Sequence, residues 1–307
     1  MDLYDVCERL QVAAGGTVAG GENCSTVRLI SQRSIRYGDT LLVVATVQCH
    51  GQVTLVKLIA YENSFADVKI LGIAPAGSIM EISNYTKKSS NEFQLGKGSS
   101  LAIIPDSKRG VFRFPPVRAD DLATAMSGPG ISLVSGLLME DFRPSKPFVG
   151  CISCHLPKPR DVQICSFCSS KEASIHVSGF CRLSDPLGNQ IRGFLDPVSV
   201  CLIYNLPLGK SFDKQVQLGG GSFLNSAVNL SNRYCAIVTD QYSKRGSDPV
   251  THTIQSLVDP FVVKGEGEEF VECRVGVDQT ATPAAGQGAP SDSLSESARR
   301  SKRSRRA

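Results

Sequence analysis

Several features that would assign this sequence to a common class of protein are missing from it. The 307 residues contain no run of about 18 apolar side chains, so we expect no transmembrane helix and no membrane partner. The opening residues, MDLYDVCERLQVAAGG, carry acidic side chains and lack the charged-then-apolar pattern of a secretory signal. We therefore expect a reducing compartment, in which disulfide bonds are disfavoured.

Sequence motifs of common enzymes are also missing. We find no P-loop and no HExxH motif, and the four histidines do not form a catalytic set with neighbouring acids. Asp185 and Asp196 flank the segment from DPLGN to FLDP and are the acidic pair that we would test for nuclease chemistry, although turn formation suits them better. We predict a protein without enzymatic activity, with weak exonuclease activity on single strands left open.

Positive charge is concentrated at the C-terminal end of the sequence. The last nine residues, RRSKRSRRA, carry six positive charges, and removing those six from the net charge of +4 leaves −2 for the rest of the chain. Any binding of nucleic acid by the rest of the chain must therefore depend on local patches and stacking. The basic tail fits a nuclear localisation signal or a phosphate-binding arm, and we predict a nuclear protein.

Composition and strand patterns indicate two β-rich domains. Hydrophobic residues make up 41% and charged residues 20% of the chain, which is ordinary for a globular protein. Runs rich in Val, Leu, Ile and Thr are separated by Gly-centred turns, a pattern typical of sandwiches and barrels. We predict a flexible lead (residues 1–21), a first barrel (22–110), a connector (111–148), a ribbon-containing second barrel (149–275) and a disordered basic tail (276–307).

Four of the eleven cysteines form two Cys-x-x-Cys pairs in the stretch CISCHLPKPRDVQICSFC. Zn²⁺ prefers tetrahedral coordination by thiolates, and two Cys-x-x-Cys turns supply four sulfurs around one ion. We predict one structural zinc ion bound by Cys151, Cys154, Cys165 and Cys168. The alternatives are unrelated reduced cysteines and a redox pair, although a redox site needs only one of the two pairs.

The two β-rich runs resemble OB-folds of the large subunit of replication protein A. The first run carries the resemblance in TLVKLIAYENSFADVKI and in SNEF, and the second carries it in CISC…CSFC followed by VSGFCRLSDPLGNQIRGF. The resemblance covers residues 24–262, and in length the chain is similar to the shorter, meiosis-specific OB-domain paralogues. It implies a fold dominated by β-structure, with two tandem OB-fold barrels, the second carrying a zinc ribbon.

The resemblance also implies which side chains would contact single-stranded DNA. Bases stack on aromatic rings of an OB-fold, and Lys and Arg contact the phosphates. The resemblance puts Tyr61 and Phe93 at the stacking positions of the first barrel and Phe194 at the matching position of the second, with Tyr234 as a candidate partner.

Basic residues near these aromatics are candidates for phosphate contacts. Arg33 and Arg36 lie at the end of the first strand, and Lys87 and Lys88 lie in the loop before Phe93. Arg192 lies two residues from Phe194, which puts both on the same face of a strand.

The leading hypothesis is a single-stranded DNA-binding protein of nuclear DNA replication, repair or meiotic recombination. Its expected partners are single-stranded DNA and other OB-fold proteins of the replication protein A type. The alternative is a scaffold that keeps the OB architecture but binds other proteins, which the near-neutral body favours. A titration with oligo-dT separates the two.

Overall fold

The computed structural model describes residues 24–37, 40–159, 161–206, 232–241 and 251–264. The predicted flexible lead and the predicted disordered basic tail concern residues outside these ranges. Strands dominate the described residues, and none of the helices among them has the length and apolar character needed to span a membrane.

The first barrel, barrel 1, is a curled sheet of seven strands. The strands are β1 (Cys24–Tyr37), β2 (Thr40–Cys49), β3 (Leu55–Tyr61), β4 (Ile79–Ser83), β5 (Thr86–Ser89), β6 (Glu92–Leu95) and β7 (Ser100–Ile103). Helix α1 (Val68–Ile73) follows β3, and a 3₁₀ helix (Asp106–Val111) follows β7.

Burial of alternate side chains shows which face of these strands points inward. Successive side chains of a strand point to opposite faces, and Leu41, Val43, Ala45 and Val47 of β2 are all buried. Their inward faces form one core, in which Phe65 is among the largest fully buried side chains.

The strand order of barrel 1 is that of an OB-fold. Strands β1, β2 and β3 form an antiparallel meander, and β6 pairs with β3 in parallel. Strand β4 pairs with β1, whereas β5 pairs with β6 at the opposite end of the sheet. The chain between β4 and β5 bends at Asn84, whose φ of 54° is in the left-handed region. Strands β4 and β5 therefore belong to one bent segment, which joins the two sides of the sheet and curls it into a half-barrel. Strand β7 pairs with β4 and is the last strand on that side.

The second half of the chain forms barrel 2 and a two-stranded ribbon. Its strands are β8 (Ala119–Asp120), β9 (Ile131–Pro144), β10 (Phe148–Cys151), β11 (Ala173–His176), β12 (Gly179–Ser184), β13 (Gln190–Leu195), β14 (Arg233–Gln241) and β15 (Thr251–Val258). Its helices are α2 (Leu122–Ala125), α3 (Pro197–Ile203) and α4 (Pro260–Val263).

Barrel 2 is a closed barrel of five strands. Strand β9 pairs with both β12 and β14, β12 pairs with β13, and β14 pairs with β15. The parallel pair of β13 and β15 completes the circle. The prediction of two OB-fold barrels, the second with a ribbon, is confirmed for the described residues.

The predicted connector at residues 111–148 needs a correction. It contains β9, whose 14 residues form the first strand of barrel 2. Side chains of β9 that are buried, such as Val134, Leu137 and Met139, belong to the second core. The sequence ISLVSGLLMEDF contains the required alternation only in part because Gly136, with φ of 75°, interrupts it.

The ribbon of β10 and β11 lies between β9 and β12 in sequence but packs on barrel 1. Phe167, at 2% exposure, belongs to the core of barrel 1 together with Leu156 of the ribbon. A Cβ atom added at Gly72 of α1 would lie 2.8 Å from the Phe167 ring, so the glycine permits this close approach. The ribbon, although inserted between two strands of barrel 2, is thus anchored on barrel 1.

The two barrels share an interface with an apolar and a polar part. Ile30 and Leu55 of barrel 1 form a third apolar cluster with Leu133 and Ile237 of barrel 2. Beside it, polar contacts cross between the barrels. The Gln255 side-chain amide donates to the Thr46 hydroxyl, the hydroxyls of Ser31 and Ser256 share a hydrogen bond, and Lys57 forms an ion pair with Asp240. The barrels therefore pack as one body, and the surface between them is fixed.

Candidate functional site

The four cysteines of the paired motif form a compact cluster. Their Sγ atoms all lie within 4.8 Å of one another, with Cys151 and Cys168 at 3.3 Å and Cys154 and Cys165 at 3.6 Å. Tetrahedral thiolates about 2.3 Å from a zinc ion lie about 3.8 Å apart, so the cluster has the dimensions of a metal site. Four protein ligands leave no open position, which is the arrangement of a structural site.

Burial and backbone hydrogen bonds act in opposite directions on these thiols. Burial raises the pKa of Cys168 to about 11 and also raises the pKa of Cys154. Burial acts on Cys151 too, but N–H donors of Cys154 and Ser153, together with the neighbouring Cys168, outweigh it and bring its pKa to about 7. A bound cation favours thiolate over thiol and would offset the desolvation of the buried sulfurs.

A groove with a volume of about 780 Å³ runs between the two barrels. We call it the inter-barrel groove. It is lined by Tyr61 and Arg33 of barrel 1 and by Phe180, Arg192 and Phe194 of barrel 2. Of the nine side chains predicted to bind nucleic acid, four line this groove although they come from different barrels.

The barrel 1 side of the groove is the outward face of β1, β2 and β3. Leu58 and Ala60 of β3 are buried in the core, so Lys57, Ile59 and Tyr61 point the other way, toward the groove. The Tyr61 side chain is half-buried at the end of the strand. Aliphatic side chains make up much of this wall of the groove.

Lys57 is a charged residue among those that line the groove. It is buried at 7% exposure, and its Nζ atom lies 3.6 Å from Asp240 of barrel 2 and 3.9 Å from Glu92. Two carboxylates surround the one ammonium group, so Lys57 contributes to inter-barrel packing rather than to attraction of an anion.

The barrel 2 side of the groove carries two phenylalanine rings. Phe180 of β12 and Phe194 of β13 are directly opposite in the strand register. Their ring centroids are 5.1 Å apart and the ring planes are inclined by 70°. Phe180 is 62% exposed, an unusual environment for a large apolar ring.

Phe180 was missed by the sequence reasoning, although a signal for it exists. In GFCRLS the residues Cys181 and Leu183 are the inward apolar pair, so alternation puts Phe180 on the outward face. An outward-facing phenylalanine beside an outward-facing Phe194 indicates a binding surface.

Arg33 connects the two barrels at one edge of the groove. Its guanidinium lies over the Phe194 ring, 5.2 Å from the ring centroid, and Nη1 donates to the Phe194 carbonyl at 3.4 Å. Arg192, in contrast, is exposed. Arg33 therefore orients Phe194, and Arg192 is the more accessible cation.

Two predicted stacking residues are buried, which corrects their expected role. Phe93 is 6% exposed and stacks on Tyr85 at a centroid distance of 4.4 Å, because β6 points Phe93 and Leu95 into the core. Tyr234 is 7% exposed and lies in the core of barrel 2. Neither ring is available to a base.

The remaining predicted phosphate contacts lie at the surface but outside the groove. Arg36 is exposed near the end of β1, one residue beyond the groove-lining Ile35. Lys87 and Lys88 are exposed on β5, where Lys87 is close enough to Cys49 to affect it electrostatically. The structure does not bring these three residues together.

The acidic pair singled out from the sequence has structural contacts. Asp185 accepts hydrogen bonds from the backbone N–H groups of Leu187 and Asn189 and so holds the turn before β13. Asp196, after β13, is the N-cap of α3 and accepts from Ser199 N–H at 2.9 Å. Six strand residues, about 20 Å, separate the two positions, too far apart to share a metal pair.

Comparison with known proteins gives matches to solved structures at very low sequence identity and low TM-score. No protein-family model matches the chain, and no curated protein matches it. A replication protein A heterotrimer bound to single-stranded DNA is 12% identical, with 82% of this chain and 67% of that chain covered and a TM-score of 0.31. A murine DNA-binding protein bound to double-stranded DNA is 11% identical, with coverage of 76% and 92% and a TM-score of 0.31. The Ifi202 HINa domain with double-stranded DNA is 13% identical, covering 57% and 78%, also with a TM-score of 0.31.

Proposed function

We propose that this protein binds single-stranded DNA in the inter-barrel groove. The observation that carries the proposal is the convergence of Tyr61 from one barrel and of Phe180 and Phe194 from the other on one groove with exposed Arg192 at its side. Aromatic rings with adjacent cations are the combination that binds unpaired bases and their phosphates.

Stacking would supply most of the affinity. Each base stacked on an aromatic ring contributes about 1–3 kcal/mol, whereas the chain without its basic tail has a net charge of −2. Because few phosphates would be neutralised, we expect binding by the folded part to depend only moderately on salt. Interfacial packing fixes the two walls of the groove, which reduces the entropy lost on binding.

Replacing the three groove rings tests this proposal. We expect the triple variant Tyr61→Ala, Phe180→Ala, Phe194→Ala to bind oligo-dT about 100-fold more weakly than the native protein, because two or more stacking interactions disappear. Fluorescence anisotropy measures the affinity, and thermal unfolding verifies that the variant is folded.

A matched control exists on α4. Phe261 is 73% exposed and lies outside the groove, so Phe261→Ala should bind oligo-dT as the native protein does. If the triple variant bound oligo-dT as tightly as the native protein, the inter-barrel groove would not be the DNA-binding site. Phe93→Ala is unsuitable as a test since it would leave a cavity in the core of barrel 1.

We propose that the metal of the cysteine cluster is one structural Zn²⁺. Four soft thiolates at tetrahedral spacing are a typical zinc ligand set, and two Cys-x-x-Cys pairs in one short stretch are a pattern of structural zinc sites. The role that follows from the geometry is mechanical. Cys151 and Cys165 anchor the loop that carries Phe167 to barrel 1.

We further propose a place for the protein in nuclear DNA replication, repair or recombination, as a non-enzymatic relative of replication protein A. Support comes from the OB-fold pair, from the inserted ribbon and from the basic sequence RRSKRSRR. Other OB-fold proteins of that type are the proposed protein partners. Localisation of a fluorescently tagged chain, with and without residues 299–306, tests the nuclear assignment.

A second candidate function is protein binding by the same groove. The observation that favours it is the aliphatic wall formed by Ile35, Leu42, Val44 and Ile59, which a strand of DNA would contact less completely than an apolar side chain would. Absence of a gel shift on any single strand, together with co-purifying partners whose capture needs Ile59, would establish this alternative.

A further inference from the structure

The outer face of barrel 2 carries an array of rings and cations that extends beyond the groove. Side chains alternate along β12 and β13, so Phe180 and Arg182 point outward from one strand and Arg192 and Phe194 from the other. The strand register sets Phe180 opposite Phe194 and Arg182 opposite Arg192. On this outer face one rung is therefore a ring pair, and the next rung on the same face, two residues along, is an arginine pair, which we call the arginine rung.

The carboxylates of the neighbouring strand β9 are already engaged. Asp141 lies opposite Arg182 in the strand register and accepts a hydrogen bond from Nε of Arg143 at 2.9 Å. Glu140, the next residue along β9, accepts from the hydroxyl of Ser184. Even with both acids counted, the three arginines leave an excess of positive charge on this face.

Arg182 also lacks a local partner for part of its guanidinium. Its Nε atom is buried, and in the part of the chain that the structure describes it has no hydrogen-bond partner. A buried N–H donor of a charged group without an acceptor costs stability. Like charges directly opposite each other in a sheet cost stability as well. An anion bound across the rung would offset the repulsion between the two guanidinium groups.

We propose that the arginine rung, Arg182 with Arg192, is a phosphate-binding site for the DNA strand that leaves the inter-barrel groove. This inference rests on the proposed function and adds Arg182 to the binding surface. Two residues along a strand correspond to about 6.8 Å, so a base stacked on the ring pair has its phosphate within reach of the arginine rung. Guanidinium groups bind phosphate oxygens in paired hydrogen bonds.

Binding measurements on glutamine variants test the rung. We expect Arg182→Gln and Arg192→Gln each to weaken oligo-dT binding about tenfold, since each removes a charge-assisted hydrogen bond. The slope of affinity against salt concentration should become shallower by about 0.7 for each phosphate that is no longer neutralised. The double variant Lys69→Gln, Lys97→Gln removes two exposed charges outside the array and is the matched control.

Neutralising the phosphate instead of the protein identifies the ligand chemistry. A methylphosphonate placed at successive linkages of oligo-dT should weaken binding to the native protein at one or two linkages. The variant lacking both arginines should be insensitive at those same linkages. If both proteins respond alike to every linkage, the rung does not contact phosphate and the inference is overturned.

The unliganded protein supplies a readout that is independent of DNA. Because Arg182→Gln ends the opposition of two positive charges, we expect its melting temperature to rise by about 1–3 °C. A gain in stability together with weaker binding marks a site kept for a ligand. A drop in melting temperature would assign Arg182 a packing role and overturn the inference.

Three outcomes separate this inference from the function on which it rests. If the native protein binds oligo-dT and the arginine variants bind equally well, only the rung is refuted. If the native protein does not bind oligo-dT at all, both proposals are refuted. If poly-glutamate binds with the same dependence on Arg182 and Arg192 while oligo-dT does not, the array is an acidic-protein site and the phosphate inference is refuted.

Discussion

Chelation of the metal is expected to lower the melting temperature of this protein by about 10 °C. Without the ion, the four sulfurs no longer hold the ribbon loop, and the fully buried Phe167 loses its place in the core of barrel 1. Loss of a buried aromatic side chain costs about 3–5 kcal/mol, and 1 kcal/mol corresponds to about 2–4 °C in a domain of this size.

The same experiment can be done with single substitutions. Cys168 is half-buried and belongs to the cluster, whereas Cys235 is half-buried and lies on β14 outside it. We expect Cys168→Ser to lose bound zinc and most of the stability that chelation removes. Cys235→Ser should keep one zinc per chain and a nearly native melting temperature.

Elemental analysis and thermal unfolding measure these two effects. A purified protein that carries no metal, or a melting temperature that does not respond to chelation, would contradict the structural role of the cluster. Loss of zinc without loss of stability would mean that the ribbon is held by Phe167 and Leu156 alone, since both remain in the apolar core.

The cysteine cluster and the barrels were predictable because their signals are local. A Cys-x-x-Cys turn sets the distance between its own sulfurs, and the run TLLVVATV marks β2 as a strand by its apolar and β-branched side chains. Leu42 and Val44 are as apolar as the buried Leu41 and Val43, so the run does not show which of its faces is buried. The strand β9 was missed because Gly136 interrupts its pattern and because it precedes the ribbon rather than follows it.

The groove could be predicted only in pieces. Tyr61, Arg33, Phe194 and Arg192 were chosen as parts of separate barrels, and the sequence contains no local sign that these barrels face each other. The contacts that bring them together, such as Lys57 with Asp240 and Thr46 with Gln255, join residues that are far apart in the chain. Such pairing depends on the complete fold.

Phe93 and Tyr234 were assigned to stacking because they are aromatic, without regard to whether their side chains face the core or the solvent. Phe93 and Tyr234 are aromatic residues in strands, but burial of their neighbours on alternate positions shows that both point inward. Phe180 points outward by the same rule. The rule of alternation, applied to every aromatic residue of a strand, would have exchanged Phe93 for Phe180.

Gly193→Ala is expected to unfold barrel 2 or to lower its melting temperature by about 6–12 °C. Gly193 of β13 is the residue at which the parallel partner β15 closes the barrel, opposite Ile254. A Cβ atom at position 193 would lie 2.5 Å from the Ile254 Cβ and 2.8 Å from its carbonyl oxygen. These atoms belong to the backbone and the β-branched side chain of Ile254, so they cannot move aside unless the two strands separate. We expect this to cost about 3 kcal/mol or more of folding stability.

Gly96→Ala is the matched control for this substitution. A Cβ atom at Gly96 would meet no atom within 4 Å, and we expect a melting temperature within about 2 °C of the native value. Because Gly193 lies between the groove-lining Arg192 and Phe194, a folded Gly193→Ala protein should also bind oligo-dT more weakly than Gly96→Ala does. Native stability and native binding of Gly193→Ala would mean that β13 and β15 are not in contact, and the closed barrel that forms one wall of the groove would have to be abandoned.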